Sequence, residues 1–196
     1  MKYSSEFKCL KDKCPNNCCT NTEIKLSVID MLRLKEAGIS DYKSFFNLKT
    51  GPPYGVMEGN DCPLLKKGLC TIYDKRINKN SRIGRALASK GLSLRAVPLI
   101  CRSYPIIIVY PELGELGLNS GCKGVEGMKW EYVIRNKVFD EVVYEFRVYR
   151  ALIKEIMKNK PMNKLALMIS EGKFLKYVLK TLEELNINKL ESVSFT

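Results

Sequence analysis

The sequence predicts an α+β fold, mainly α: a small cysteine-ligated metal or cluster core, a β-hairpin and C-terminal helices. Three observations predict it. All eight cysteines lie between Cys9 and Cys122. A β-branched, apolar run follows Tyr104 and turns back on itself. The last third carries two apolar stripes at helical spacing and no cysteine. The division falls near residue 125, giving a cysteine domain over 1–125 and a helical extension over 126–196.

In chain order, Ser27 is placed to cap a helix that runs through Leu34, with Ile29, Leu32 and Leu34 as its apolar positions and Gly38 as its stop. Ser40 can cap a second short helix from Tyr42 to Leu48. The run from Gly51 to Gly55, with Pro52 and Pro53 inside it, predicts a turn-rich break. Cys62 and Cys70 flank a short irregular stretch in which Gly68 permits a tight reversal, so the loop brings two thiols together. Tyr104 to Asn119 predicts a hairpin with Cys101 and Cys122 at its two ends, since Pro105–Tyr110 is strand-like, Pro111–Gly114 turns and Leu116–Leu118 returns. Val138, Val142, Phe146, Tyr149, Ile153 and Ile156 recur at three-and-four spacing until Pro161, and Phe174, Leu175, Val178, Leu179, Leu182 and Leu185 repeat the pattern. These stripes are core packing.

The chain has 196 residues, a formal charge of +12 and no histidine. Without histidine, Ser/His/Asp and Cys/His catalytic pairs, two-His-one-carboxylate iron sites and Cys2His2 fingers are excluded. No stretch approaches the roughly 18 to 20 apolar residues of a membrane span. The first residues hold no apolar signal core, which places the chain in the cytoplasm as an expectation. A reducing compartment and an ample core argue that the cysteines serve metal or redox chemistry instead of disulfides.

Cys9, Cys14, Cys18 and Cys19 put four thiols within eleven residues. The spacing is not that of a zinc ribbon, because no C-x2-C occurs. Adjacent Cys18 and Cys19 diverge in an extended backbone, so they suit two metal atoms or two irons of a cluster. With Cys62, Cys70, Cys101 and Cys122 they fit an iron–sulfur cluster, 4Fe-4S being favoured, and equally supply two all-cysteine zinc sites.

These residues resemble the YkgJ-type cysteine-cluster family, a zinc- or iron-chelating domain. The resemblance runs through Phe7, Cys9, Cys14, Cys18 and Cys19, then Leu26, Ser27, Asp30, Arg33 and Leu34. It continues with Cys62, Pro63, Leu64, Gly68, Cys70, Ile72 and Tyr73, then Pro98, Cys101, Arg102, Tyr104 and Pro105, and ends at Cys122 and Gly124. It implies that all eight cysteines are metal ligands. The chain departs from the pattern in its looser first cluster, in Val97 where an arginine precedes the proline, and in about 20 extra residues after Arg76. The resemblance implies a metal or iron–sulfur centre supporting redox or macromolecule-modifying chemistry. Flagellin lysine N-methylases carry a distantly similar cysteine domain, so an S-adenosylmethionine-dependent protein methylase is an alternative, although no glycine-rich fingerprint for that cofactor is present.

Around this set, Arg102 can offset thiolate charge, bind an anion or make a structural ion pair. Tyr73 and Tyr104 can donate to sulfur or simply pack. The basic insertion over 75–97 carries Lys75, Arg76, Lys79, Arg82, Arg85, Lys90 and Arg95, with no acid among residues 75–95. It can contact RNA or DNA phosphates, dock an acidic protein or form a solvated face. No aromatic residue lies between Lys75 and Arg95 to stack bases. A zinc-structured binding module for RNA or an acidic partner, without catalysis, is therefore the second functional alternative.

Overall fold

A computed structural model describes residues 24–39, 46–47, 54–57, 62, 64–67, 69–103, 106–110, 115–118, 137–190 and 194–195. Strand β1 (Ile24–Leu26) leads directly into helix α1 (Val28–Glu36). Ser27 makes the turn between them as a capping box: its Oγ accepts from the Asp30 N–H at 3.1 Å while the Asp30 carboxylate accepts from the Ser27 N–H at 3.0 Å. Two otherwise orphaned donors are satisfied in this way. The helix ends where Gly38 takes φ +75°, letting Ile39 N–H reach Leu34 O and Gly38 N–H reach Lys35 O. This paired closure requires a left-handed residue, and glycine adopts that conformation without a Cβ clash. Every residue from Val28 to Leu34 is buried, so α1 forms the centre of the fold.

β1 pairs antiparallel with β3 (Tyr54–Met57), which pairs on its other edge with β2 (Phe46–Asn47). The helix expected from Tyr42 to Leu48 is corrected at Phe46 and Asn47, which are strand. Two turns of helix are marginal alone, and pairing with β3 supplies Phe46 and Asn47 with partners that an isolated helix would lack. Tyr54 and Gly55, expected within a turn, are likewise in β3. Leu65–Lys66 (β4) and Leu69–Cys70 (β5) form a hairpin with Leu65 opposite Cys70, and Lys67 in its turn has φ +51°.

The basic segment is folded. Ile77 N–H donates to Leu94 O at 2.7 Å and Ala96 N–H to Lys75 O at 2.8 Å, closing two short arms around helix α2 (Arg82–Ser89). Ser81 caps α2 through Gly84 N–H, and Ile83, Ala86 and Leu87 turn inward. In the sequence the cations between these apolar positions mask the helix. Helix α3 (Leu99–Ser103) follows. The expected hairpin is present as β6 (Ile106–Tyr110) and β7 (Glu115–Leu118), with β8 (Ser194–Phe195) added in parallel to β7.

Helix α4 (Lys137–Asn159) and helix α6 (Phe174–Glu184) carry the two apolar stripes, with α5 (Met162–Ser170) between them. Val142, Phe146, Tyr149, Ile153 and Ile156 are buried, as are Phe174, Leu175, Val178, Leu179 and Leu182. α6 packs against α4, α1 and α2, so one apolar cluster joins the first and last thirds of the chain. Helix α5 goes beyond the sequence expectation, because Leu165 is its only buried residue and its periodicity is correspondingly weak. No helix among the described residues is long and apolar enough to cross a membrane.

Candidate metal centre

Cys62, Cys70 and Cys101 are half-buried. Cys9, Cys14, Cys18, Cys19 and Cys122, together with Tyr104, lie outside the described residues. Cys62 and Cys70 come together because of the β4–β5 hairpin. Leu65 N–H donates to Cys62 O at 2.8 Å, and Thr71 closes the other end through its N–H and hydroxyl, both onto Leu64 O. Buried Leu64 and Ile72 fix the hairpin to the core.

The Tyr73 N–H donates to Cys70 O at 3.3 Å, and the backbone amides of Ile72 and Tyr73 lie near the Cys70 thiol. Burial pushes this thiol up, the neighbouring Cys62 and Asp74 push the same way, and the two amides pull it down without reversing the net rise. Two thiols brought near one another by one hairpin form a pair of soft donors in a chain that has no imidazole to offer. The set fits a thiophilic metal. Among the described residues no group of three or more cysteine, aspartate or glutamate side chains is close enough to hold an ion, so Cys101 does not complete a trio with the other two. Tyr73, next to the pair in sequence, is 39% exposed.

Cys101 is positioned by charge. It sits on the five-residue α3, whose first turn closes onto Pro98 O and whose Leu99 N–H donates to Asp30 Oδ1 at 2.9 Å. Asp30 therefore caps its own helix and anchors the start of α3. Arg33, fully buried, bonds Asp30 at 3.2 Å, Ser93 O through Nε and Nη2, and both oxygens of Glu145 on α4. Arg102 pairs with the same Glu145 through Nη2. Burial drives the Glu145 carboxyl upward, and Arg33 with Arg102 more than offsets this, so it stays ionised below the usual carboxylate range. Burial, with the Glu145 charge, raises Asp30 by more than Arg33 and its hydrogen bonds lower it.

Most cations of the basic segment are engaged internally. Lys75 Nζ donates to Ala37 O at the end of α1, and Lys90 Nζ to Glu183 O and Leu185 O at the end of α6, at 3.0 and 2.7 Å. Helix C-termini present unsatisfied carbonyls and negative potential, which ammonium groups complement. Arg82 makes a two-pronged pair with Glu183, and Arg85 bonds Asn80 O. Arg76 and Arg95 face one another across a single antiparallel bridge. They line a cleft of about 570 Å³ with Ser93, Asp140, Glu141 and Tyr144. Exposed Lys79 is the remaining cation of the seven.

A family model described as a "putative zinc- or iron-chelating domain", named for the pattern CxxCxxCC, matches residues 8–122. The chain belongs to the CxxCxxCC family. No curated protein and no solved structure matches it. Within the CxxCxxCC domain, the motif residues Ser27, Asp30 and Arg33 serve the fold by capping α1, anchoring α3 and balancing buried charge. Glu145, on which both buried arginines converge, lies beyond the family match, and sequence reasoning misses it. A signal for it exists: it stands three residues after Val142 and beside Phe146, a charge set within an apolar stripe.

Proposed function

We propose that the CxxCxxCC domain of this chain holds a thiolate-ligated iron–sulfur cluster that serves redox or macromolecule-modifying chemistry, with Cys9, Cys14, Cys18, Cys19, Cys62, Cys70, Cys101 and Cys122 as the ligand pool. The observation that supports a metal site is the Cys62–Cys70 pair, two thiols that the β4–β5 hairpin brings near one another. Cysteine sulfurs are soft donors suited to zinc and iron. Eight cysteines suffice for two four-thiolate centres. Adjacent Cys18 and Cys19, whose side chains would diverge in an extended backbone, favour a polynuclear or two-site centre. When bound, such a cluster supplies one-electron transfer. The chain's own residues hold it in place: the hairpin fixes Cys62 and Cys70, and α3 carries Cys101 on a base of buried ion pairs.

The deciding experiment is iron, zinc and acid-labile sulfide analysis of protein purified without oxygen, with the visible spectrum taken before and after dithionite. Iron with matching sulfide and a band near ~400 nm that bleaches supports the cluster. About two zinc per chain and no colour would overturn it in favour of an all-thiolate zinc site.

A further inference from the structure

We infer that Arg102 is a hydrogen-bond donor to a sulfur of the metal centre, with its Nε–H as the donating group and Glu145 as the residue that positions it. The inference rests on the metal reading above. Its own observation is separate: Arg102 Nε is buried and has no hydrogen-bond partner, alone in this among the buried side-chain nitrogens and oxygens of the described residues. The side chain is 7% exposed, so bulk water does not serve as the acceptor.

Buried donors are almost always matched, and an unmatched one next to a ligand site marks a missing acceptor. The charges identify what kind of acceptor. Arg33 is surrounded by Asp30, both Glu145 oxygens and Ser93 O. Arg102 has only a share of Glu145, a carboxylate that already answers Arg33. Its guanidinium is thus incompletely balanced on the side of Nε and calls for a negatively charged acceptor. Cys101 immediately precedes it on the same short helix, which Asp30 anchors at Leu99. A metal-bound thiolate or cluster sulfide is anionic, accepts N–H donors and needs no further counter-ion if a guanidinium stands beside it. Lysine could supply the charge of Arg102 but not a planar group that binds Glu145 with one nitrogen while offering Nε elsewhere.

The test is proton–nitrogen NMR of the full chain, metal-free and loaded with ¹¹³Cd²⁺, a thiophilic ion with a nuclear spin. The Arg102 Nε–H signal is assigned by its disappearance in Arg102→Lys. The expected result is a shift of that signal on loading and its splitting by coupling through the N–H···S–Cd link, with the bound cadmium counted alongside. Arg102→Lys should retain cadmium stoichiometry with affinity weakened about tenfold to a hundredfold, as for other outer-sphere partners. If cadmium binds and the Nε–H does not respond, Arg102 is not a donor to the centre and the metal reading stands. If cadmium is not bound, both fail. Should Arg102→Lys not fold, the wild-type spectra still decide, with Nε–H assigned through its bonded side-chain protons.

Discussion

Glu145→Gln tests the buried charge network most directly. The substitution keeps the shape and removes the charge that two guanidiniums share, and its amide group presents donors where Arg33 and Arg102 also present donors. Breaking a buried pair by removing one partner costs about 3–5 kcal/mol, because the remaining charge is left uncompensated. Two arginines depend on this carboxylate, both with side chains at most 7% exposed, so the upper part of that range is expected. For a chain of this size each kcal/mol moves the melting temperature by about 2–4 °C, which predicts a fall of about 8–20 °C. Denaturant titration at neutral pH gives the free energy, and repeating it in acid adds an independent check. The folded pKa of Glu145 lies below its ordinary value of 4.5. The unfolded chain therefore takes up the proton first, and the stabilisation is complete above about 4.5 and lost as pH falls through the lower folded value. The gap between wild type and Glu145→Gln should then narrow on acidification. Asp30, pushed upward by burial and by the Glu145 charge, contributes with the opposite sign, and Glu145→Gln relieves part of that push, so the gap narrows by less than Glu145 alone would give. A loss below about 1 kcal/mol, or a gap constant down to acid, would refute the network as an energetic anchor.

Ser27→Ala removes the hydroxyl of the α1 capping box and should cost about 1 kcal/mol by denaturant titration, in the usual range for a lost N-cap. Gly84→Ala places a Cβ 2.0 Å from Asn78 O and 2.9 Å from Lys79 Cα, a backbone clash that should destabilise by about 1–3 kcal/mol; an unchanged unfolding midpoint would mean that the 78–84 turn relaxes freely. Arg82→Ala breaks a pair whose arginine side chain is 64% exposed, and the melting temperature should stay within error of wild type. Cys70→Ser should lower metal content and melting temperature together, and full retention of metal would remove Cys70 from the ligand pool.

The legible parts of the fold are those written in local chemistry. Ser27 and Gly38 bracket α1, β-branched residues between Pro105 and Tyr110 mark β6, and the long stripes of α4 and α6 repeat often enough to define a face. The parts that are not legible depend on distant partners. Phe46 and Asn47 are strand only because β3 is there to pair with them. In α2 the cations stand beside Ile83, Ala86 and Leu87, and only a surface to pack against decides that the apolar positions govern. The pairing of Cys62 with Cys70 is readable from their spacing. The position of Cys101 depends on Asp30, Arg33 and Glu145, which come from two helices more than a hundred residues apart in sequence.

The family match stops at residue 122, but the physical unit that supports the cysteines does not. Arg33 and Arg102 lie inside the match and both need a carboxylate that α4 provides from outside it. Lys75 and Lys90 tie the basic segment to the ends of α1 and α6, so that segment spans the same boundary from the other side. Apolar contacts alone could hold α4 against α1 with comparable stability, since buried ion pairs are often no better than well-packed hydrophobes. What the ion pairs add is direction. A carboxylate gripped by two guanidiniums fixes the rotation of α4 relative to α1 and α3, whereas an apolar face tolerates sliding. That restriction falls on the five-residue helix carrying Cys101, the element whose placement matters most if thiolates from separate parts of the chain are to meet at one centre.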